Sequence, residues 1–197
     1  MLEEARRRGF LGPGPVEDHV LHAERMAAVL GPPPGPFLDL GTGAGIPGLV
    51  LALAWPDATG ALLDSRGRRT EFLAEMLGTL GLADRFVPVT ARAEDAARDP
   101  ELRGRFARVV ARGFGIPAVT AECAVGFLAA GGELAVSEPP ASDPASRWPP
   151  AGVAQLGLTP PEILPANGAT VARLTLTTPP DDRWPRRPGI PTKRPLW

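Results

Sequence analysis

The stretch Phe37-Leu38-Asp39-Leu40-Gly41-Thr42-Gly43-Ala44-Gly45-Ile46-Pro47-Gly48 constrains the fold more than any other part of the chain. Phe37, Leu38 and Leu40 lie between the breakers Pro36 and Gly41, which suits a short buried strand. Gly41, Gly43 and Gly45 then permit a turn with positive φ, on which a ligand can lie against bare backbone. Pro47 fits the first turn of a helix, where its missing N–H costs nothing, and Leu49 to Ala54 carries that helix up to Trp55-Pro56. A strand, glycine loop and helix in this order bind an adenosine-type cofactor at the carboxyl edge of a parallel sheet.

The rest of the chain repeats the alternation. Val16, Val20, Ala23, Ala27 and Leu30 recur at three- and four-residue spacing behind Glu17 and Asp18, predicting a helix over 16–30. Gly31 to Gly35 is a stiff linker. Thr59 to Leu63 reads as a second strand closed by Asp64, and Arg66 to Leu80 as a helix stopped by Gly81. Phe86 to Thr90 is a third strand, Ala93-Glu94-Asp95 starts a helical turn, and Ala107 to Ala111 is a fourth strand. Ile116 to Leu128 is expected to be a helix terminated by Gly131-Gly132, and Glu133 to Val136 a fifth strand. Such alternation indicates an α/β domain with a parallel sheet.

Beyond it the pattern changes. Pro139 to Pro150 is expected to be a loop over the carboxyl edge of the sheet or a mobile lid. Glu162 to Leu164 and Thr170 to Thr177 flank an Asn167-Gly168 hairpin signal. The chain thus divides into an N-terminal helical segment with a linker (1–35), an α/β domain (36–178) and a tail (179–197). The tail has Arg183, Arg186, Arg187, Lys193 and Arg194 against Asp181 and Asp182, with prolines that keep it extended. It either lies along phosphates, those five residues being RNA-binding, or is a solvated terminus.

The glycines fit two cofactors. Gly43-x-Gly45-x-x-Gly48 with a later acid, Asp64, matches the dinucleotide fingerprint. Gly41-x-Gly43-x-Gly45 after Asp39 matches an S-adenosylmethionine loop equally well, and Asp64 serves the ribose diol of either. Other residues decide. There is no tyrosine, and Lys193 is the only lysine, so no tyrosine–lysine hydride site can be built. Asp39 would repel a pyrophosphate but could help hold the cationic end of S-adenosylmethionine. A parallel five-strand unit finished by an antiparallel hairpin is also the layout of class I methyltransferases, which are Rossmann-like.

Composition narrows the setting. Lys and Arg (21) balance Asp and Glu (22), so the chain as a whole has no basic character for nucleic acid. Cys123 is the single cysteine, which rules out an internal disulfide and fits a reducing compartment. The longest apolar run, near Ile46 to Trp55, falls short of the ~20 residues of a membrane span, and no apolar leader follows the charged first residues. A cytoplasmic monomer without membrane contact is the expectation. His19 and His22 lie three apart on one helix, but with no third ligand nearby the expectation is no metal.

The run Asp39 to Gly48 resembles the cofactor loop of the RsmG family, methyltransferases that act on guanine N7 of small-subunit (16S) ribosomal RNA. Leu62-Leu63-Asp64-Ser65 with Arg69 and Phe72-Leu73 is similar to the segment after that family's second strand. Arg92-Ala93-Glu94 resembles its adenine-side turn, and Ala111-Arg112-Gly113-Phe114 its Ser-Arg-Ala-Phe-like segment. Trp184 to Leu196 resembles its terminal Tyr-Pro-Arg-Arg run.

The resemblance implies S-adenosylmethionine as cofactor and a small-subunit ribosomal RNA or ribosomal subunit as partner. It further implies that Gly41 and Ile46 line the cofactor beside Gly43 and Gly45, and that Asp64 accepts from the ribose hydroxyls. Ala93 and Glu94 would flank the adenine, and Arg112 would lie by the cofactor and the incoming base. No general base is implied, because guanine N7 already carries a free lone pair. The chain departs from the family at His22, where Asp or Asn is usual, and at Ser137-Glu138, in place of a Lys-Gly-like pair. A glutamate there is expected to weaken RNA docking. A paralogue that binds S-adenosylmethionine or RNA but methylates another substrate, or none, is the second reading.

Overall fold

The computed structural model describes residues 2–139 and 143–197. Helices α1 (Leu2–Arg7) and α2 (Val16–Leu30) precede β1 (Phe37–Leu40), α3 (Gly48–Ala54), β2 (Gly60–Asp64), α4 (Gly67–Thr79) and β3 (Phe86–Thr90). Then come α5 (Ala93–Ala96), β4 (Phe106–Ala111), α6 (Pro117–Val125), β5 (Leu128–Glu138), α7 (Pro144–Arg147) and α8 (Pro150–Ala154). The hairpin β6 (Glu162–Ala166) and β7 (Ala169–Thr175) and the short α9 (Ile190–Lys193) complete the chain.

One seven-stranded sheet runs in the order β3-β2-β1-β4-β5-β7-β6. β1 to β5 pair in parallel, and β7 is antiparallel to both β5 and β6. The strand order reverses between β1 and β4, so their carboxyl ends part and leave a crevice. All four residues of β1 are buried, as a strand with helices on both faces requires. Leu38, Leu40, Leu63, Val109 and Leu134 pack on the side of α6 and α8. Phe37, Leu62, Val110 and Ala135 pack on the side of α2, α3 and α4. The hairpin forms where Asn167-Gly168 placed it: both residues take positive φ, 41° and 96°.

Two expectations are corrected here. The helix over 116–128 stops at Val125, and the fifth strand starts at Leu128 rather than Glu133. Gly131-Gly132 is not a helix stop but lies inside β5, where the β4–β5 register shifts. The stretch Ala118 to Leu128 is apolar but for Thr120, Glu122 and Gly126, and carries no period that separates a buried helix from a buried strand. Of the expected loop over 139–150, residues 140–142 lie outside the described residues, and the remainder contains α7 and the start of α8.

The tail is not extended. Trp184 is buried in the main core, and Arg103 Nη1 donates to its carbonyl at 3.0 Å. Arg98 donates to the carbonyls of Asp182, Arg183 and Pro185. Arg186 closes on Glu122 of α6 through its N–H (2.9 Å), Nε (2.8 Å) and Nη2 (2.6 Å). The Glu122 side chain is fully buried, so this pair ties the tail to the domain with a charge that water cannot reach. Removing one partner of such a pair is costly, whereas removing both is cheap. Arg186→Met is expected to lose about 3–5 kcal/mol of stability in urea melts, and Arg186→Met/Glu122→Met to recover most of it.

Candidate functional site

The loop after β1 is organised from beneath. Asp39 is buried on the face that carries α3, and its Oδ2 accepts the Gly48 N–H at 2.8 Å. Gly48 has to be glycine: an added Cβ would meet Leu62 at 2.5 Å and Asp39 Oδ2 at 2.6 Å. Burial pushes the Asp39 carboxyl up to about 6. Asp64, at the carboxyl end of β2, holds the loop from the side. Its Oδ2 accepts from Gly43 N–H (3.1 Å) and Arg69 Nη1 (3.0 Å), and its Oδ1 from Arg66 N–H (2.9 Å).

A cleft of about 270 Å³ opens at these ends, lined by Gly41, Asp64, Arg69, Ala93, Glu94, Phe114, Val119, Cys123 and Thr192, among others. Gly41 takes φ 71°, and an added Cβ would lie 2.5 Å from the Phe114 ring, so only bare backbone fits beside that ring. Glu94 Oε1 accepts from Arg92 Nη2 (3.3 Å) and from the Gly189 N–H of the tail (2.8 Å). Burial pushes the Cys123 thiol far above its ordinary range, which keeps it protonated.

The structure therefore brings Gly41, Asp64, Ala93 and Glu94 to one cleft and leaves the other expected residues outside its lining. Asp39 lies outside that lining, its Oδ2 accepting the Gly48 N–H. Ile46 packs with Leu2, Val16 and Ala23 below α2. Gly45 faces Leu49 and Leu73, and Gly43 lies under the Phe10 carbonyl. These three shape the loop instead of lining the cleft. Thr192 was missed because the tail reads as an independent terminus until its folding back is seen.

A second, larger cavity of about 840 Å³ adjoins the first across Gly113 and Phe114. Arg112 belongs to this one, with His22, Ser137, Glu138, Arg147 and the β6–β7 turn. His22 Nε2 lies 2.8 Å from Ser137 Oγ, and Arg112 Nη2 lies 2.8 Å from His19 Nδ1. The paired histidines of α2 thus do face one way, toward an arginine and a serine. Glu138 Oε1 accepts from Trp148 Nε1 at 2.9 Å, and Arg147 Nε donates to its other oxygen. Among the five basic tail residues, Arg186 is engaged by Glu122 and Arg183 lies 3.8 Å from Asp181. Arg187, Lys193 and Arg194 are exposed. Among the described residues no three His, Cys, Asp or Glu side chains converge as metal ligands would, and no helix is long and apolar enough to cross a membrane.

Comparison with known proteins places the chain. The family described as GidB, rRNA small subunit methyltransferase G, matches residues 16–137. The chain belongs to this family. The ribosomal RNA small subunit methyltransferase G of Pelotomaculum thermopropionicum is 39% identical over 169 residues, covering 81% of this chain and 69% of the relative. That of Roseiflexus castenholzii is 33% identical over 186 residues, covering 92% and 79%. Two solved methyltransferases share the fold. A mitomycin 7-O-methyltransferase superposes with a TM-score of 0.65 at 16% identity, over 81% of this chain and 54% of its own. A predicted O-methyltransferase of Agrobacterium tumefaciens gives 0.62 at 18% identity, over 80% and 81%. The fold is that of class I S-adenosylmethionine-dependent methyltransferases.

The neutral state of His22 has a measurable consequence for this GidB-family chain. Burial, then the nearby charges of Arg112, Arg25 and His19, lower its pKa from 6.5 to about 4. The unfolded chain takes up this proton first, so stability is complete above pH 6.5 and falls as the pH drops toward 4. Relative to the parent, His22→Gln is expected to flatten this part of the stability profile by on the order of 1 kcal/mol, the half-exposed ring being partly screened. Urea melts at intervals from pH 7 to 4 measure it.

Proposed function

We propose that the chain transfers a methyl group from S-adenosylmethionine to guanine N7 of small-subunit (16S) ribosomal RNA. The observation that carries this reading is the pair of adjoining cavities in a chain of the GidB family, one lined by Gly41, Asp64 and Glu94 and one lined by Arg112. The residues present fit that cofactor. Gly41 offers bare backbone beside Phe114, and the Asp64 carboxylate, held by three donors, keeps one lone pair, on Oδ1, for a ribose hydroxyl. Ala93 and Glu94 are assigned to the adenine side, where Thr192 closes the cleft. When bound, the cofactor supplies an electrophilic methyl group on a sulfonium.

The chain's own work is then to place the base and exclude water. Guanine N7 has a free lone pair, so no side chain need remove a proton first, and in-line positioning can supply most of the rate. The second reading, a paralogue acting elsewhere, rested most heavily on Ser137-Glu138. Glu138 does not present a bare negative charge to RNA, because Arg147 and Trp148 occupy its two oxygens. The tail is proposed to act first as a wall of the cofactor cleft, with exposed Arg187, Lys193 and Arg194 left to meet RNA. The reading includes a monomer in the cytoplasm, where ribosomal subunits are.

Incubation with radiolabelled S-adenosylmethionine and naked or subunit-bound ribosomal RNA, followed by mapping of the labelled base, tests the assignment. The expected product is 7-methylguanine in the small-subunit RNA; no product alongside micromolar cofactor binding would overturn it. Asp64→Ala is expected to weaken S-adenosylhomocysteine binding tenfold or more, in line with ~1.5–3 kcal/mol for a charged hydrogen bond. Thr192→Trp, at an exposed position, is expected to block the cleft and weaken the same binding without changing the ligand-free melting temperature. Calorimetric titration reads both.

A further inference from the structure

Adenine and guanine carry the same N7 lone pair and differ beside it, where guanine has the acceptor O6 and adenine the donor N6. A site that takes guanine at N7 therefore needs a hydrogen-bond donor next to that atom. The β5 side of the larger cavity supplies one.

Glu138 ends β5 in the lining of that cavity, with its side chain fully buried. Two consecutive residues close on its carboxylate. Arg147 donates through Nε to Oε2, and Trp148 through Nε1 to Oε1 at 2.9 Å. Trp148 is itself buried, with the Trp197 ring centroid 6.4 Å from its own, and Trp197 Nε1 donates to the Arg147 carbonyl at 2.9 Å. The Arg147 guanidinium is thus held from its backbone and from Nε, and it too lines the cavity. Among the described residues only Nε is spent in this way, which leaves Nη1 and Nη2 to donate to a ligand. Of the other polar groups in the lining, His22 and Ser137 engage each other. Arg112 meets His19 and has the buried Asp39 carboxylate as its opposing charge.

The pairing with Glu138 suits the chemistry. As the N7–methyl bond forms and the methyl–sulfur bond breaks, the positive charge passes from sulfonium to purine. A bare guanidinium beside that purine would weaken the nucleophile and oppose the cationic product. A guanidinium whose charge is cancelled by a buried carboxylate still donates hydrogen bonds without that penalty.

We propose that Arg147 selects guanine over adenine by donating to O6, with Glu138 as the positioning residue that fixes the guanidinium and cancels its charge. The selection rests on the guanine-N7 reading above. A base with N7 turned to the junction of the two cavities at Phe114 carries O6 one ring position away, on the side of the neighbouring strand end. An N6 amino group in that place would set donor against donor.

The test uses the full chain, S-adenosylmethionine and a small-subunit ribosomal RNA fragment altered at the mapped acceptor nucleotide. Inosine there keeps O6, and 2-aminopurine riboside keeps N7 but lacks O6. The parent is expected to methylate the inosine RNA within about threefold of the guanosine RNA, and the 2-aminopurine RNA with a kcat/KM lower by about tenfold or more. In Arg147→Met the guanosine to 2-aminopurine ratio is expected to fall below about threefold, with S-adenosylhomocysteine affinity within about twofold of the parent. Arg147→Met/Glu138→Gln leaves no buried carboxylate without its partner and is expected to show the same collapse, which separates loss of selection from loss of folding. Glu138→Gln keeps the donor but bares its charge, so kcat is expected to fall about tenfold with KM and the ratio little changed.

A parent that does not distinguish guanosine from 2-aminopurine overturns the proposal, as does a ratio unmoved in both Arg147 variants. An unchanged kcat in Glu138→Gln overturns the part given to Glu138. Guanosine, inosine and adenosine monophosphates are also titrated in the presence of S-adenosylhomocysteine, read by the ring protons of His22 in the cavity, one of only two histidines. If the parent methylates guanine N7 with the ratio unmoved in the variants, the selection fails and the function stands. If no RNA is methylated, yet the parent prefers the two 6-oxopurines and Arg147→Met does not, the function fails and the selection stands.

Discussion

The hydrogen bond from Gly48 N–H to the buried Asp39 carboxylate is the constraint on which the rest of the site depends. It joins the end of β1 to the start of α3 and makes the intervening glycines turn in the space between. The arrangement is unfavourable in itself. A carboxyl held at about 6 destabilises the folded chain above that pH, and the penalty fades as the pH falls toward the ordinary 3.8. What the molecule gains is a loop whose backbone stands clear at the crevice between β1 and β4, with Asp64 braced beside it.

Both ends of the chain complete what this loop begins. The tail returns along α6, locked by Arg186 on Glu122, and brings the Gly189 N–H to Glu94 and Thr192 to the smaller cleft. Trp197, at the far end of the tail, donates to the Arg147 carbonyl at 2.9 Å, and Arg147 in turn holds Glu138 in the larger cavity. α2 places His22 in the lining of that cavity and His19 against Arg112. The two cavities meet at Phe114, where a methyl group would pass from one to the other.

Much of this was legible in the residues. The glycine run, the acid after the second strand and the Asn-Gly turn are local signals whose geometry follows from backbone sterics, and each formed where its residues stand. The boundary between α6 and β5 was not legible, because a mostly apolar stretch without a clear period suits either state and only its neighbours choose. The positions of Asp39 and Ile46 relative to the cleft were not legible for a related reason. Residues beside a ligand loop and residues beneath it share the same stretch of chain, and only the packing of α2 and α3 separates them.

By itself the sequence determined an α/β chain with a glycine loop after its first strand, an acid at the end of the second and a C-terminal hairpin, since these depend on periodicity and turn chemistry within a few residues. Only the tertiary structure decided that the basic tail is a wall and that the α2 histidines answer to Arg112 and Ser137. It also decided that Glu138 is neutralised. Each of these depends on a contact between side chains brought together by the fold, in a register that no local pattern encodes.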